Sequence, residues 1–362
     1  MPRRPMFPSP ALPVHPIQCI VPPYILDAIK LRGNAQQRAM AVRMESDCRA
    51  FRARREQAAP PDSFLPAARI SAGESRGPKR EVYDAGNGSS LPGTSRRKEG
   101  DEPAGDAQVD EAYEGAGDTH RLYLEQYERD SLDGKGLALV SAVHYGRDYN
   151  NAFWNGDQMV YGDGDGTIFT PLTGSLSVIG HELSHGVVQY SGGLVYQDEP
   201  GALNESFADV FGVLTVQYRN DETVDAAKWL VGDGIFGPDI RGEALRSLKA
   251  PGNAYDDDIL GTDPQPYHMD LYVNTSSDNG GVHINSGIPN HAFYLLASYL
   301  GGKAWEKAGR IWYDTMQAVN NPHATFANWA DKSVEMARER YGSGSLEAVF
   351  TRRAWKLVGI TV

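Results

Sequence analysis

The sequence predicts an α+β protein of two lobes, β-rich in its N-terminal half and helical beyond, preceded by a short leader of different character. Between residues 82 and 171 the apolar residues fall in short runs broken by Gly, Asp and Asn, the pattern of strands and turns. Beyond residue 174 they recur at spacings of three and four, the pattern of helices that bury one face. Residues 1–60 hold ten Lys and Arg against four Asp and Glu, a net of +6 in a chain of formal charge −12, so the remainder carries −18. A basic leader on an acidic body is held there in part by electrostatic complementarity. With 362 residues, 41% of them hydrophobic, the chain has material for two domains. No run of about 18 apolar residues is present to span a bilayer, and the negative charge argues against a nucleic-acid partner, which requires a basic surface.

These composition shifts divide the chain into a leader (1–60), a linker (61–80), a β-rich lobe (81–174) and a helical lobe (175–362). Residues 1–23 are Pro-rich and read as irregular. A short helix follows Pro23 with Ile25, Leu26 and Ile29 on one side. Asn34 to Gln57 reads as a second helix with a stripe of Met40, Met44, Cys48 and Phe51. Sixty residues make little core of their own, so the body is expected to cover this stripe. Residues 58–80, rich in Ala, Pro, Ser, Gly and Arg, read as a linker.

In the β-rich lobe, Gln108 to Arg129 reads as a helix, and Leu137 to Tyr145 and Met159 to Tyr161 as strands. Asn151-Ala152-Phe153-Trp154 reads as an exposed strand edge, which an extended peptide can pair with through main-chain hydrogen bonds; Phe153 and Trp154 also suit a core. Gly162-Asp163-Gly164-Asp165-Gly166 reads as a tight turn rather than a calcium loop, because it lacks a ladder of oxygen ligands and a distant Glu. In the helical lobe, Ser286 to Leu300, Ala304 to Val319, Ala324 to Arg340 and Ser345 to Val358 each show helical spacing.

The chemistry concentrates in Val178-Ile179-Gly180-His181-Glu182-Leu183-Ser184-His185 and the helix after it. His181 and His185 are four apart, so on a helix both imidazoles leave one face, as two nitrogen ligands of a tetrahedral zinc must. Glu182 lies one step round, within reach of a water at the metal. Glu205, in a second amphipathic helix, supplies the third ligand if the two helices pack antiparallel, leaving one position for water. Asp209, one turn beyond, and Asn204 are placed to orient the two histidines through their other ring nitrogens. Both cysteines, Cys19 and Cys48, fall in the leader, so the body's metal site rests on His and carboxylate groups. Such residues on amphipathic helices are often surface or satisfied core groups; the two halves occurring in order favour the metal. His283 follows Asp278 by five in a Gly-rich loop, a spacing that lets the carboxylate orient the ring.

From about Val82 to the C-terminus the sequence resembles the thermolysin-like zinc endopeptidases, the M4 metallopeptidases. The resemblance rests on Asn150-Asn151-Ala152-Phe153-Trp154-Asn155-Gly156, Gly162 to Gly166, the His181–Glu205 helix pair, and Asp278 to Gly287. The run Cys19-Ile20-Val21-Pro22-Pro23-Tyr24 resembles the pro-segment signature of the protealysin-like members, which implies a segment that inhibits or chaperones the enzyme until its removal. The family fold implied is a two-lobed endopeptidase with a central zinc-binding helix at the cleft. The family pattern further implies that Glu182 takes the proton of the attacking water, with His283 and Tyr196 stabilising the tetrahedral intermediate. By the same resemblance Asn151 and Ala152 pair with the substrate backbone, and Arg246 holds a substrate carbonyl, with Arg241 as the alternative. Phe169, Leu172, Val178, Val231, Ile235 and Leu245 match an apolar pocket just after the scissile bond. Burying a Leu or Phe side chain there contributes about 1.5–3 kcal/mol, so cleavage on the amino side of bulky apolar residues is expected.

The family's paired-calcium site is doubtful here. Where acidic ligands are required the chain has Ser177, Val216, Lys228 and Leu230, leaving only Asp233. Cys19 has two readings, a thiolate that reaches the zinc or a small buried hydrophobe. The resemblance implies an extracellular life, although Met1 to Pro8 gives no conventional export signal, its basic start never reaching an apolar run. Two other functional classes compete. An exopeptidase would need an acidic group upstream to hold a free amino terminus, and a non-catalytic adhesion module would suit a chain that had lost a ligand or the base; neither condition is met.

Overall fold

The computed structural model describes residues 18–57, 77–191 and 193–362, without the side chains of Gln18 and residues 47–57. Residues 1–17 and 58–76, with the expectations attached to them, lie outside this range, as do the side chains of Cys48 and Phe51 in the expected leader stripe.

A six-stranded mixed sheet runs in the order β1-β5-β6-β4-β2-β3. Its strands are β1 (Gln18–Cys19), β2 (Arg80–Asp84), β3 (Thr94–Lys98), β4 (Leu139–Val143), β5 (Ala152–Trp154) and β6 (Met159–Tyr161). Strands β2, β4 and β6 run parallel, while β3, β5 and β1 pair antiparallel to their neighbours. Two leader helices, α1 (Pro23–Arg32) and α2 (Ala35–Gln57), connect β1 to the body, and Ile25, Leu26, Ile29, Met40 and Met44 are all buried, as the stripe requires. Helix α3 (Ala107–Tyr127) packs on the sheet, its first turn capped by the Asp106 carboxylate, which accepts from the N–H groups of Gln108 and Val109.

Two expectations for this lobe are corrected by one contact. Residues 18 and 19 are not irregular, and the Asn151–Trp154 edge is not exposed, because the leader adds itself to the sheet as β1, opposite Phe153 and Trp154. Ala152, Phe153 and Trp154 are buried. A two-residue strand carries no periodicity of its own, so only its distant partner makes it a strand.

The helical half comprises α4 (Leu176–Gln189), α5 (Asp198–Asn220), α6 (Asp278–Asn285), α7 (Gly287–Leu300), α8 (Ala308–Ala318), α9 (Phe326–Tyr341) and α10 (Leu346–Leu357). Between α5 and α6 a small pair, β7 (Leu230–Val231) and β8 (Arg246–Ser247), runs antiparallel. Helix α8 starts four residues later than the spacing suggests, since residues 304–307 form turns with Ala304 and Trp305 buried beneath them. His283 lies not in a loop but on α6, whose entry passes through Asn279, Gly280 and Gly281 at φ of 49°, 82° and 76°. Left-handed backbone of this kind favours glycine, and at Gly280 a Cβ would fall 2.0 Å from Asp198 Oδ1. Glycines that read as loop therefore bend the chain into a helix. Among the described residues no helix is long and apolar enough to cross a membrane.

Candidate active site

Helices α4 and α5 cross at two glycines. A Cβ on Gly212 would lie 2.5 Å from Ser177 O and 3.0 Å from His181 N, and one on Gly180 would lie 2.9 Å from Thr215 Oγ1. Only hydrogen at both positions lets the backbones approach this closely. The approach brings Glu205 on α5 to the two histidines of α4. His181 Nε2 and His185 Nε2 are 3.0 Å apart, His185 Nε2 is 3.5 Å from Glu205 Oε1, and His181 Nε2 is 3.6 Å from Glu205 Oε2. Donors at zinc–ligand distances of 2.0–2.2 Å and tetrahedral angles stand roughly 3.3–3.5 Å apart, so the triad has the right size.

The protons around the triad also fit a cation. His185 Nδ1 lies 2.9 Å from Asn204 Oδ1, and His181 Nδ1 lies 2.8 Å from Asp209 Oδ1, off the ideal hydrogen-bond direction. Each Nδ1 faces an oxygen acceptor and so carries the ring proton. Both Nε2 lone pairs then point at one another and at a carboxylate, with Glu205 Oε2 making no hydrogen bond. Three lone-pair donors facing inward without a proton among them are a ligand set. The donor atoms of His181, His185 and Glu205 all lie within 4.8 Å of one another, and no Cys belongs to the group. What Cys19 turns toward the site is its carbonyl, 3.0 Å from His283 Nε2. The buried-hydrophobe reading of Cys19 therefore replaces the thiolate ligand.

Around the triad the remaining expected residues converge. Glu182 is fully buried, and its Oε2 accepts from the Trp154 N–H at 3.0 Å. Burial first, and then the charge of Glu205, push its carboxyl well above the usual carboxylate range, against the Trp154 N–H. Asp278 clamps His283 twice, accepting from its backbone N–H at 2.9 Å and from ring Nδ1 at 2.7 Å. Burial lowers the His283 pKa, but the charges of Asp278 and Glu205 outweigh it and the net shift is upward. Acceptors face both ring nitrogens, Asp278 at Nδ1 and Cys19 O at Nε2, which favours the charged ring. Tyr196 OH donates to Glu205 Oε1 and lies 3.2 Å from His283 Nε2.

Arg246 enters from β8. Its Nε and Nη2 donate to both oxygens of Asp209 and its Nη1 to Ile20 O at 3.1 Å. Arg241, the alternative, is exposed and pairs with Asp258 at 2.6 Å. Asn151 Oδ1 accepts from Val21 N at 3.0 Å, and Ala152 O accepts from Ile20 N at 3.1 Å. The apolar residues Phe169, Leu172, Val178, Val231, Ile235 and Leu245 are all fully buried. Four of them are joined: Leu245 N–H donates to Val231 O at 3.0 Å, Thr170 N–H beside Phe169 donates to Ile235 O at 2.8 Å, and a Cβ on Gly232 would touch both Ile235 and Leu245 at 3.1 Å.

Family profiles for the thermolysin metallopeptidase catalytic domain and its alpha-helical domain match residues 73–189 and 192–360. An extracellular metalloprotease of Pectobacterium carotovorum subsp. carotovorum is 45% identical over 348 residues, covering 96% of this chain and 97% of its own. The chain belongs to the thermolysin family of metallopeptidases. Within that family it is protealysin-like. The solved precursor of protealysin, a metalloproteinase from Serratia proteamaculans, superposes with a TM-score of 0.85 at 44% identity, over 95% of this chain and all of that one. Protease PrtS of Photorhabdus sp. (strain Az29) is 49% identical over 286 residues, 78% of this chain and 76% of its own. This thermolysin-family member is a zinc neutral endopeptidase made as a proenzyme, with a catalytic zinc bound by His181, His185 and Glu205.

Three contributors escaped the sequence reading. Asn290 Nδ2 donates to Asp209 Oδ2 at 2.9 Å, Gln189 Oε1 accepts from the Trp154 ring N–H at 3.1 Å, and the Gly180–Gly212 crossing sets the helix spacing. Only the glycines left a trace, as small residues on the facing sides of two amphipathic helices. Of the doubtful calcium positions, Lys228 pairs with Asp233 at 2.7 Å and Ser177 Oγ accepts from Gly232 N–H at 2.9 Å. In the Gly-Asp turn, Asp165 Oδ1 accepts from the N–H groups of Thr167 and Ile168, and Asp163 pairs with His144.

Proposed function

We propose that the enzyme cleaves extended peptides on the amino side of bulky apolar residues, and that residues 1–60 are a pro-segment held in the substrate cleft until cut within the linker 61–80. The lobes 81–174 and 175–362 form the two sides of that cleft. The observation that supports this best is the placing of the chain's own residues 18–21. They run antiparallel to β5, with one carbonyl at His283 and the next at Arg246.

Zinc on the triad supplies a Lewis acid that acidifies water and polarises a carbonyl. The side chains do the rest. Glu182 accepts the proton of the attacking water and returns it to the departing nitrogen. The His283 imidazolium, held by Asp278 and assisted by Tyr196, donates to the oxygen as negative charge grows there. Asn151 and Ala152 bind main-chain groups and therefore tolerate many sequences, while Arg246 fixes the carbonyl that follows the scissile bond. The buried apolar residues from Phe169 to Leu245 then select the side chain just beyond it. Asp209 and Asn204 fix the two zinc histidines.

The relative named as an extracellular metalloprotease favours an extracellular life, and the partners are peptide or protein substrates rather than nucleic acid. The test is bound-zinc analysis with casein hydrolysis by wild type and Glu182→Gln. We expect equal zinc and a loss of at least about a hundredfold in rate. A variant of undiminished activity would remove Glu182 from its role, and a peptide library preferring Arg or Asp after the cut would remove the pocket.

A further inference from the structure

We propose that the Cys19–Ile20 peptide bond is a cleavage site of the enzyme itself: the pro-segment crosses the zinc centre in a substrate's direction and register, and the chain is cut there in cis. This rests on the catalytic reading above and extends it from a blocking segment to a bound substrate.

The main-chain groups follow one another without a gap. Cys19 O lies 3.0 Å from His283 Nε2, Ile20 N–H donates to Ala152 O at 3.1 Å, and Ile20 O accepts from Arg246 Nη1 at 3.1 Å. Val21 N–H then donates to Asn151 Oδ1 at 3.0 Å, and Val21 O accepts from Asn151 Nδ2 at 3.5 Å. Upstream, Gln18 and Cys19 stand opposite Trp154 and Phe153. A single-residue slip would turn every side chain to the other face and bring a different residue's carbonyl to His283. Among the described residues it is the Cys19 carbonyl that meets His283, and Glu182 accepts from Trp154 N–H on β5, the strand that pairs with β1. The residue after this bond, Ile20, is bulky, apolar and fully buried, the class the cleft is proposed to prefer.

Hydrolysis balances with one water. Its hydroxyl joins the Cys19 carbonyl carbon, the C–N bond breaks, and Glu182 carries the remaining proton to the Ile20 nitrogen; the new acid's proton passes to the amine, leaving a carboxylate on Cys19 and an ammonium on Ile20. The downstream end stays anchored by α1 and α2. Among the described residues the upstream side holds the cleft through the short β1 pairing, so the cut is expected to free the part of the cleft before the scissile position. Cleavage at 19–20 is thus a first step of activation, distinct from removal of the segment in the linker.

The experiment uses the zinc-loaded full chain at two concentrations tenfold apart, with intact mass and terminal sequencing over time. We expect a chain that begins at Ile20, formed at a rate independent of concentration. Glu182→Gln should form none, even with wild type added, because its bond is covered by its own body. A readout without turnover is amide hydrogen exchange of the zinc-free chain, in which Ile20 and Val21 should be protected by their acceptors. If casein is hydrolysed after processing but no Ile20 terminus ever forms, if the rate scales with concentration, or if these two amides exchange freely, the proposal is overturned while the catalytic reading stands. Loss of casein hydrolysis and of the cut together would sink both.

Discussion

Asp209 and Arg246 face each other as a fully buried pair, Arg246 Nε 2.9 Å from Asp209 Oδ2 and Nη2 2.8 Å from Oδ1, and the same carboxylate lies 2.8 Å from His181 Nδ1. One side chain therefore supports both a zinc ligand and the arginine that meets the peptide carbonyl. Burial alone would raise the Asp209 pKa, but the Arg246 charge outweighs it and holds the carboxyl well below its usual range.

Replacing Asp209 by Asn should strike both functions. The amide cannot accept both arginine N–H groups, and it leaves the Arg246 charge buried without a counterion, a change that costs about 3–5 kcal/mol. We expect zinc affinity to fall by roughly 10–100-fold and KM to rise. Chelator competition and thermal unfolding measure the two; unchanged zinc affinity would separate His181 from this carboxylate.

Gly212→Ala tests the helix crossing. Its Cβ would meet backbone at 2.5 Å, so α4 and α5 must separate and Glu205 must withdraw from the histidines. Overpacking of this kind costs about 1–3 kcal/mol, with weakened zinc binding beside it. Gly344→Ala, which meets nothing within 4 Å, is the control and should leave both unchanged.

His144 joins three elements by a titratable link. Its Nδ1 lies 2.9 Å from Asp163 in the Gly-Asp turn and its Nε2 3.1 Å from Asp106 at the head of α3. Burial opposes the charged ring, but the hydrogen bonds and charges of the two carboxylates outweigh it and raise its pKa. A raised folded pKa stabilises fully below the unfolded value of about 6.5 and loses that contribution as pH climbs through the folded value. His144→Asn keeps a residue that tolerates the observed φ of 54°. It should cost about 1–3 kcal/mol at pH 5.5 and progressively less toward pH 9; a gap that widens with pH would contradict the sign.

Added calcium should barely move the melting temperature. A site filled at a hundred times its Kd adds about 2.7 kcal/mol, or roughly 3–5 °C for a fold of this size. The Lys228–Asp233 ion pair stands where two cations would require carboxylates. A shift of less than about 1 °C is expected by calorimetry, and one above about 3 °C would restore the paired site.

The zinc triad was legible because its parts are local. His181, Glu182 and His185 declare their geometry through a single helical turn, and Glu205, Asp209 and Asn204 through the face of the next helix. The leader helices were legible for the same reason, their apolar stripes needing a cover. The short strand at Gln18–Cys19 was not, since nothing within those residues distinguishes it from irregular chain. Nor was the helix carrying His283, because four consecutive left-handed residues, Asp278 to Gly281, read as a Gly-rich loop.

By itself the sequence determined which side chains exist to bind the metal and which elements present them, because periods of two and of three to four residues are written within a few neighbours. Tertiary structure decided the rest: that Asp209 serves His181 and Arg246 together, that two glycines set the distance on which Glu205 depends, and that the leader becomes a strand against Phe153 and Trp154. These rest on contacts between segments tens to more than a hundred residues apart, and such a contact has no local signature because half of it lies elsewhere in the chain.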